Sequence, residues 1–388
     1  MTSFPWIDRN KLIILGIAHL LLIIFTSALR FRLDEPDGMK VFGAYWASGQ
    51  ALMQGMNPFG IYPLTWSRFF NIPEVNLNPP TILPLFYFIG HFPPVFAARV
   101  WTLISGIVLI IAILWLFVDR RDDLIQRRQM LWVFFLPSLA STLVIGQIYI
   151  FIFAMVTAAW ICLKRGHERV AGVIIGIIVA VKPNLAVWPF FLLIAEHWRP
   201  VRFALLAGAS AAALSLNLYG INAYKQWHAA VAADTHAARF LIEVSIHGFM
   251  TRLGAPAIGT ALAGILLATT TVLVWRQRFS KIDTTRLALI VAILASPIAW
   301  VDYAMFLIPA MIMRPWNRTL TLAAILLLVP VSIPNMLMDG PIWKTIVGGS
   351  IYFTAILLIF IDIMRDITRT TIHHSDASEP KPPALHAH

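Results

Sequence analysis

The stretch FAARVWTLISGIVLIIAILWLFV, residues 96–118, decides the fold class of this chain. Its one charged residue, Arg99, lies close to its start, and the remainder is predominantly apolar on every face of a helix rather than along one stripe. A helix that crosses the hydrocarbon core of a bilayer needs about 20 apolar residues. The stretch therefore predicts a membrane-spanning helix.

Similar apolar runs recur along the chain and identify an integral membrane protein. Of the 388 residues, 59% are hydrophobic and 13% are charged, and the runs recur too often for the core of a soluble protein. We predict an all-α, polytopic membrane protein with about 11–13 transmembrane helices and amphipathic helices in its outer loops. The helix candidates are residues 12–29, 96–118, 130–146, 148–163, 170–182, 184–197, 203–219, 256–275, 286–299, 302–313, 319–334 and 345–363.

The chain is predicted to form one transmembrane domain, residues 1–372, followed by a disordered cytoplasmic tail, residues 373–388. The tail is rich in His, Ser, Glu and Pro and has too few apolar residues to build a core. Two long outer loops are expected, at residues 30–78 and 220–250. Each contains an amphipathic segment, the first at residues 39–54, that is typical of helices lying on a membrane surface.

The charges predict how the helices are oriented. The net charge is +11, and the basic residues collect in six short loops. All six fall on the cytoplasmic side if the helices alternate from a cytoplasmic N-terminus, as the positive-inside rule requires. This distribution predicts a multi-pass protein of the cell inner (plasma) membrane with both termini inside, and it argues against nucleic-acid binding. The basic loops are Arg120/Arg121/Arg127/Arg128, Lys164/Arg165/Arg169, Arg199/Arg202, Arg276/Arg278/Lys281, Arg314/Arg318 and Arg365/Arg369.

Residues 79–92 do not fit this alternation. They are apolar but short, and prolines stand at positions 79, 80, 84, 93 and 94. If they crossed the membrane, every later loop would change side. We favour a re-entrant or interfacial element, which is tolerated where protein surrounds it. A compensating extra or broken helix before residue 163 is the alternative.

Several polar residues fall on the side opposite to the basic loops, at predicted helix ends or in loops. Polar groups at membrane depth are costly, so their placement on one side predicts a site that faces outward. They are Asp37, Asn78, Gln147, Lys182, His247 and Asp302.

The order of short motifs along the chain resembles glycosyltransferase family 87, whose members are polytopic GT-C enzymes that use polyprenyl-phosphate sugars. Each motif is weak alone, and their common order is what carries the resemblance. Two departures are Glu243-Val244, where the family has Asn-Gln, and Val301, where an acid often follows the tryptophan directly. The motifs are Asp37 with Tyr45, Gly49, Gly55, Asn57, Pro58 and Tyr62; Asn78-Pro79-Pro80; Gly146-Gln147; Ala171-Gly172 with Lys182-Pro183; Ser245, Gly248 and Arg252-Leu253; and Ser296-Pro297 with Trp300, Asp302 and Tyr303.

The resemblance implies an inverting transfer of a hexose, mannose by family analogy, from a polyprenyl phosphate to a lipid-linked or cell-envelope glycan. One carboxylate then suffices, because phosphate is already a good leaving group. Asp37 is the expected base. Asp34 replaces it if the alignment slips by three residues, and capping the helix at 39–54 is the structural alternative.

Cations and hydrogen-bond donors would bind the substrate. Lys182, Arg252 and His247 are candidates for the donor phosphate, although Lys182 could instead snorkel to the interface and Arg252 could be an ordinary interfacial arginine. The other candidates share the ability to hold sugar hydroxyls or a sugar face; helix capping and the aromatic belt are their alternatives. They are Gln147, Asn78, Asp302, Trp300, Tyr303 and Ser245.

No cofactor or metal is expected, because the donor is itself the lipid-phosphate sugar and no carboxylate cluster demands an ion. The single cysteine, Cys162, excludes an internal disulfide. The expected partners are the sugar donor, a glycan or glycolipid acceptor and membrane lipid. A multi-pass transporter or lipid flippase is the alternative function, and it would place charged residues near the bilayer midplane.

Overall fold

The computed structural model describes residues 9–33, 39–67, 72–119, 129, 131–234, 240–336 and 341–378. Within them the chain is helical apart from loops and one short hairpin, in which β1 (Trp66–Ser67) pairs antiparallel with β2 (Ile72–Pro73). The α-helices are α1 Arg9–Leu29, α2 Lys40–Met53, α3 Leu83–Gly90, α4 Pro94–Asp119, α5 Pro137–Ile145, α6 Tyr149–Lys164, α7 Glu168–Val181, α8 Val187–Ile194, α9 Trp198–Ala233, α10 Ile246–Arg252, α11 Pro256–Gln277, α12 Lys281–Leu294, α13 Ile308–Met311, α14 Arg318–Leu327, α15 Ser332–Asn335, α16 Ile342–Lys344 and α17 Ile351–Ser378.

Several predicted helices are broken into shorter pieces. Proline has no backbone N–H and pushes the preceding residue towards an extended conformation. Leu136, before Pro137, and Lys182, before Pro183, are accordingly non-helical, and a 3-10 turn lies beside each break. The remaining 3-10 segments are Pro63–Thr65, Pro80–Ile82 and Val301–Leu307, and Thr345–Gly349 is a π-helix.

These breaks reduce the number of full-length spans. Among the described residues, three helices are long and apolar enough to cross a membrane: α4, α9 and α11. A fourth candidate is the pair Ile342–Gly349 and Ile351–Arg369, which is bent by 50°. Other apolar helices of 10–17 residues include Tyr149–Lys164 and Pro183–Ile194. The prediction of about 11–13 transmembrane helices therefore counted several of these shorter helices as full spans.

Glycines allow close packing between α7 and α9. A Cβ at Gly172 would lie 2.3 Å from the Pro200 carbonyl oxygen, and one at Gly176 would lie 2.3 Å from the Ala204 carbonyl oxygen. Helix α7 therefore approaches α9 backbone to backbone through two glycines one turn apart. This small-xxx-small arrangement is common between membrane helices, where close van der Waals contact replaces the hydrophobic drive.

Ion pairs connect the basic loops at one end of the bundle. Lys164 Nζ lies 2.8 Å from Asp119, and Lys281 binds Glu168. Buried Arg286 lies 2.7 Å from Asp366. Because an ion pair joins atoms a few ångströms apart, these loops share one surface, as the charge pattern predicts. The other pairs there are Arg165–Asp119, Arg278–Glu196, Arg286–Asp283, Arg314–Asp362 and Arg314–Asp366.

The elements expected at the opposite face are present. Helix α2 coincides with the predicted amphipathic segment 39–54, and it packs against α3. Residues 80–90 rise only about 16 Å, too little to cross the core alone, which agrees with a re-entrant or interfacial element. Helix α9 breaks at Gly220, with φ 69°, where the second loop predicted to lie outside begins. Helix α17 continues to Ser378, past the predicted domain boundary at residue 372.

Candidate active site

An amide-rich group forms where α2 meets the turn between α5 and α6. The Tyr45 hydroxyl on α2 donates to Gln147 Oε1 at 2.5 Å, and Tyr45 is buried. Gly146, with φ 73°, ends α5 in the left-handed conformation and so directs Gln147 towards α2. Buried Asn78 also hydrogen-bonds to Tyr45. Its Nδ2 donates to Asn76 Oδ1 at 3.1 Å.

Lys182 lies between two tyrosine rings. Its Nζ is 5.0 Å from the Tyr149 ring centroid and 4.9 Å from that of Tyr303. The two rings meet edge to face with centroids 5.0 Å apart. Within the described part of the chain, Lys182 forms no ion pair. The break before Pro183 places this half-buried ammonium group at the end of α7 that is remote from the basic loops.

Asp302 is buried against α5. The Ser141 hydroxyl donates to its Oδ1 at 2.5 Å, and Thr142 adds a second side-chain hydrogen bond. Ser141 stands 161 residues before Asp302 in the chain. They orient the carboxylate beside Tyr303, the next residue and one wall around Lys182.

Two of the predicted motifs pair with each other. Glu243 and Trp300 form an antiparallel bridge. The Val244 N–H donates to the Ala299 oxygen and the Val301 N–H donates to the Ile242 oxygen, each at 2.7 Å. The 240–245 segment is thereby attached to the start of the 3-10 segment that carries Asp302 and Tyr303.

These groups lie next to one another because some are close in sequence and others are in direct contact. Gln147 and Tyr149 are two residues apart, Asp302 precedes Tyr303, and the two tyrosines touch. Together they form what is called here the polar cluster. Helix α7 rises about 20 Å from Glu168, in the basic loops, to the residue before Lys182. The polar cluster consists of Tyr45, Asn78, Gln147, Tyr149, Lys182, Asp302 and Tyr303.

The model of glycosyltransferase family 87 matches residues 76–301, more than half of the chain. The chain belongs to this family. Membership confirms the resemblance drawn from the motifs and makes the chain a glycosyltransferase. The described helices agree with the predicted all-α polytopic membrane protein. The family match therefore covers four of the seven polar cluster residues, namely Asn78, Gln147, Tyr149 and Lys182. Asp302 and Tyr303 lie just beyond its end.

One solved structure is similar over most of its length. It is the crystal structure of ArnT from Cupriavidus metallidurans bound to undecaprenyl phosphate, with 13% identity and a TM-score of 0.44. The alignment covers 95% of this chain and 79% of that one. No curated protein sequence matches the chain.

Asp37, the predicted base, and its alternative Asp34 lie outside the described residues and before the family match. Trp300 is half-buried, with its ring centroid 6.0 Å from that of Phe240. The structure therefore places Trp300 beside the 240–245 segment rather than against Lys182, and its predicted contact with sugar stays a prediction.

Arg252 and Ser245, two predicted substrate ligands, lie beside Glu243, and His247, a third, contacts Thr260. Arg252 Nη1 donates to the carbonyl oxygens of Phe240 and Glu243 at 2.9 and 3.0 Å. Ser245 is fully buried and caps α10, accepting from the Gly248 N–H at 3.0 Å. His247 Nδ1 lies 3.1 Å from Thr260 Oγ1. The first two are engaged in holding the loop, and substrate roles for all three remain predictions.

Four residues in or beside the polar cluster were not predicted from the sequence. Tyr149 follows Gln147 by two positions, and Ser141 and Thr142 interrupt an apolar run. Asn184 follows Lys182 by two; its Nδ2 donates to Ser296 Oγ at 3.3 Å. Its buried Oδ1 has no partner within the described residues. Nearness to a motif residue was the one signal available for them.

Outside the membrane helices, the fold changes the ionisation of the buried Glu243 carboxyl group. Burial raises its pKa to about 7, although hydrogen bonds from Ser245 and Ala299 and the charge of Arg252 oppose this. For metal binding, the described residues bring together no group of three His, Cys, Asp or Glu side chains. Independence from metal stays a prediction.

Proposed function

We propose that the protein transfers a hexose, mannose by family analogy, from a polyprenyl-phosphate sugar to a lipid-linked or cell-envelope glycan. The reaction takes place on the outer face of the inner (plasma) membrane, opposite the basic loops. The observation that carries the proposal is Lys182, an ammonium group that follows the apolar helix α7 and has no ion-pair partner among the described residues.

A cation in this position calls for an anion. Ammonium groups inside a membrane protein are costly unless they reach water or a counter-charge. The faces of Tyr149 and Tyr303 attract the ammonium group of Lys182, but a ring quadrupole supplies only about 0.5–2 kcal/mol. The phosphate of a lipid donor supplies a full counter-charge at the right depth, with its polyprenyl chain in the surrounding lipid.

The amides and the carboxylate suit the sugar. Gln147 and Asn78 offer both donors and acceptors, and the Asp302 carboxylate accepts from hydroxyls. Ser141 and Thr142 restrict the rotation of Asp302, so part of the ordering cost of binding is already met in the fold. This arrangement suits a hexose, which presents several hydroxyl groups to hydrogen-bond donors and acceptors.

The proposed reaction is a single displacement. An acceptor hydroxyl oxygen attacks C1 of the sugar while its proton passes to the carboxylate of Asp37. The C1–oxygen bond to phosphate breaks, and the electron pair leaves on the polyprenyl phosphate. Lys182 stabilises the charge that grows there. Attack opposite the leaving group inverts the configuration at C1.

Sugar transfer by the purified protein from a short-chain polyprenyl-phosphate mannose tests the proposal. Lys182→Met should reduce transfer by at least about a hundredfold, as loss of one charge-stabilising group does elsewhere. Lys225→Met is the matched control, since Lys225 is exposed on the outer part of α9 and should leave transfer unchanged. Equal transfer by wild type and Lys182→Met would overturn the role of Lys182.

The base is tested in the same assay. Asp37→Asn should abolish transfer, whereas Asp34→Asn should retain it. The reverse result would move the base to Asp34. A wild-type protein that transfers no mannose, but moves lipid or solute across vesicles in a manner sensitive to Lys182→Met, would replace the enzyme with the transporter alternative.

A further inference from the structure

A buried carboxyl group joins the two segments that meet beside the polar cluster. Glu243 Oε1 accepts the backbone N–H of Ser245 at 3.1 Å and that of Ala299 at 2.7 Å. The residue is fully buried. The first contact shapes the turn that leads into α10. The second reaches 56 residues along the chain to the start of the segment that carries Asp302.

The other carboxylate oxygen occupies a space that a glycine leaves open. A Cβ at Gly248 would lie 1.3 Å from Glu243 Oε2, so any side chain there would displace the carboxyl group. Oε2 has no hydrogen-bond partner within the described residues, and Arg252 Nη1 is 3.9 Å away. Gly248 therefore leaves the space that the Glu243 carboxyl group occupies. Oε1 is the oxygen that accepts the hydrogen bonds.

The position of Ala299 affects the polar cluster because Asp302 and Tyr303 follow it closely in sequence. Trp300, directly after Ala299, is extended, and the 3-10 segment with Asp302 and Tyr303 begins at Val301. A shift of Ala299 would move the Asp302 carboxylate away from Ser141 and the Tyr303 ring away from Lys182. Displacements of about 1 Å at a catalytic site can cost about a hundredfold in rate.

We propose that Glu243 is a positioning residue: its Oε1 holds the 240–245 segment against Ala299 and so keeps Asp302 and Tyr303 in place for the sugar donor. This inference rests on the proposed glycosyltransfer. Glu243 itself touches none of the polar cluster residues through a hydrogen bond among the described contacts. Because this role requires only that Oε1 accepts the two hydrogen bonds, the negative charge of Glu243 is dispensable.

Three variants distinguish the hydrogen-bond acceptor of Glu243 from its negative charge and from a general effect on protein stability. Glu243→Gln keeps an acceptor oxygen and should retain kcat and KM within about threefold. Glu243→Ala removes the acceptor, and Gly248→Ala displaces it; both should lower kcat/KM for the donor by about 10- to 100-fold. Gly264→Ala is the control, since a Cβ there meets no atom within 4 Å. All are assayed as monodisperse protein well below their melting temperatures.

Hydrogen–deuterium exchange provides a readout that does not need activity. In Glu243→Ala and Gly248→Ala, the amides of Ser245 and Ala299 lose their acceptor and should exchange faster, while Glu243→Gln should match wild type. If wild type transfers no sugar, the proposed function fails, but exchange still tests the contact.

Two outcomes would overturn the positioning role. One is wild-type kcat and KM in Glu243→Ala with only a lower melting temperature. The other is equal loss in Glu243→Gln and Glu243→Ala, which would make the charge the essential feature. If Glu243→Ala fails to fold, Gly248→Ala and Glu243→Gln still decide between these results.

Discussion

Replacing Gly176 with alanine should separate α7 from α9 and lower the thermal stability of the protein. The new Cβ would lie 2.3 Å from the Ala204 carbonyl oxygen and 2.9 Å from the Ala207 Cβ. Comfortable contact between such atoms requires roughly 3.5 Å. The helices would therefore have to move apart by about 1 Å along a backbone-to-backbone interface that has no flexible side chain to yield.

The size of the effect follows from two opposing contributions. Overpacking a close-packed interface typically costs about 1–3 kcal/mol. Alanine is favoured over glycine in a helix interior by about 1 kcal/mol, which offsets part of that cost. Gly264→Ala on α11 receives the same helical gain with open space around its Cβ. The difference between the two variants should thus be about 1–3 kcal/mol, or about 1–4 °C in Tm for a chain of this length.

Thermal unfolding of the purified variants in one detergent measures this difference. Gly208→Ala provides a graded control in the same interface, since its Cβ would lie 3.4 Å from the Gly176 oxygen, an ordinary contact. The expected order of Tm is Gly264→Ala, then Gly208→Ala, then Gly176→Ala. A Gly176→Ala variant as stable as Gly264→Ala would refute the close approach of α7 to α9.

Three further results are expected. Tyr45→Phe removes the donor to Gln147 and should cost about 1–3 kcal/mol in thermal unfolding, whereas Tyr87→Phe, on an exposed ring, should change little. Glu243 has a pKa raised from 4.5 to about 7 by burial, with Arg252 the charged group beside it. Folding is therefore favoured most below pH 4.5, where Glu243 is protonated in both states, and about 3 kcal/mol of that free energy is lost by pH 7. The stability of the wild type relative to Glu243→Gln should fall over this interval. A difference that stays constant with pH would contradict the prediction. Transfer should persist in EDTA, and activity lost in EDTA and restored by Mg²⁺ would disprove metal independence.

Local signals in the sequence were enough for the class of protein and for several of its breaks. Apolarity on all faces of residues 96–118 predicts a membrane helix, and α4 is long and apolar enough to span the membrane. Gly146 and Pro183 stand where α5 and α7 end, because their backbone limits act without help from the rest of the chain. The amphipathic segment 39–54 likewise became α2.

The polar cluster was predicted in part. The order of the family motifs pointed to Asn78, Gln147, Lys182 and Asp302, and the structure brings these residues to the same end of the bundle. Arg252 and Ser245 carried the same kind of signal but hold the loop around Glu243. A motif indicates that a residue type matters at a position, and it does not distinguish a group that binds substrate from one that supports its neighbours.

The contacts that define the site were decided by the tertiary structure alone. Asp302 meets Ser141 from 161 residues away, and Tyr45 meets Gln147 across 102. Lys182 acquires its two tyrosine walls from different helical segments. Hydrophobic periodicity and backbone preferences act over a few residues, so the sequence by itself determined a membrane glycosyltransferase with breaks at known prolines and glycines. Which polar side chains meet depends on how distant helices pack, and that is set by summed van der Waals contacts such as those of Gly172 and Gly176.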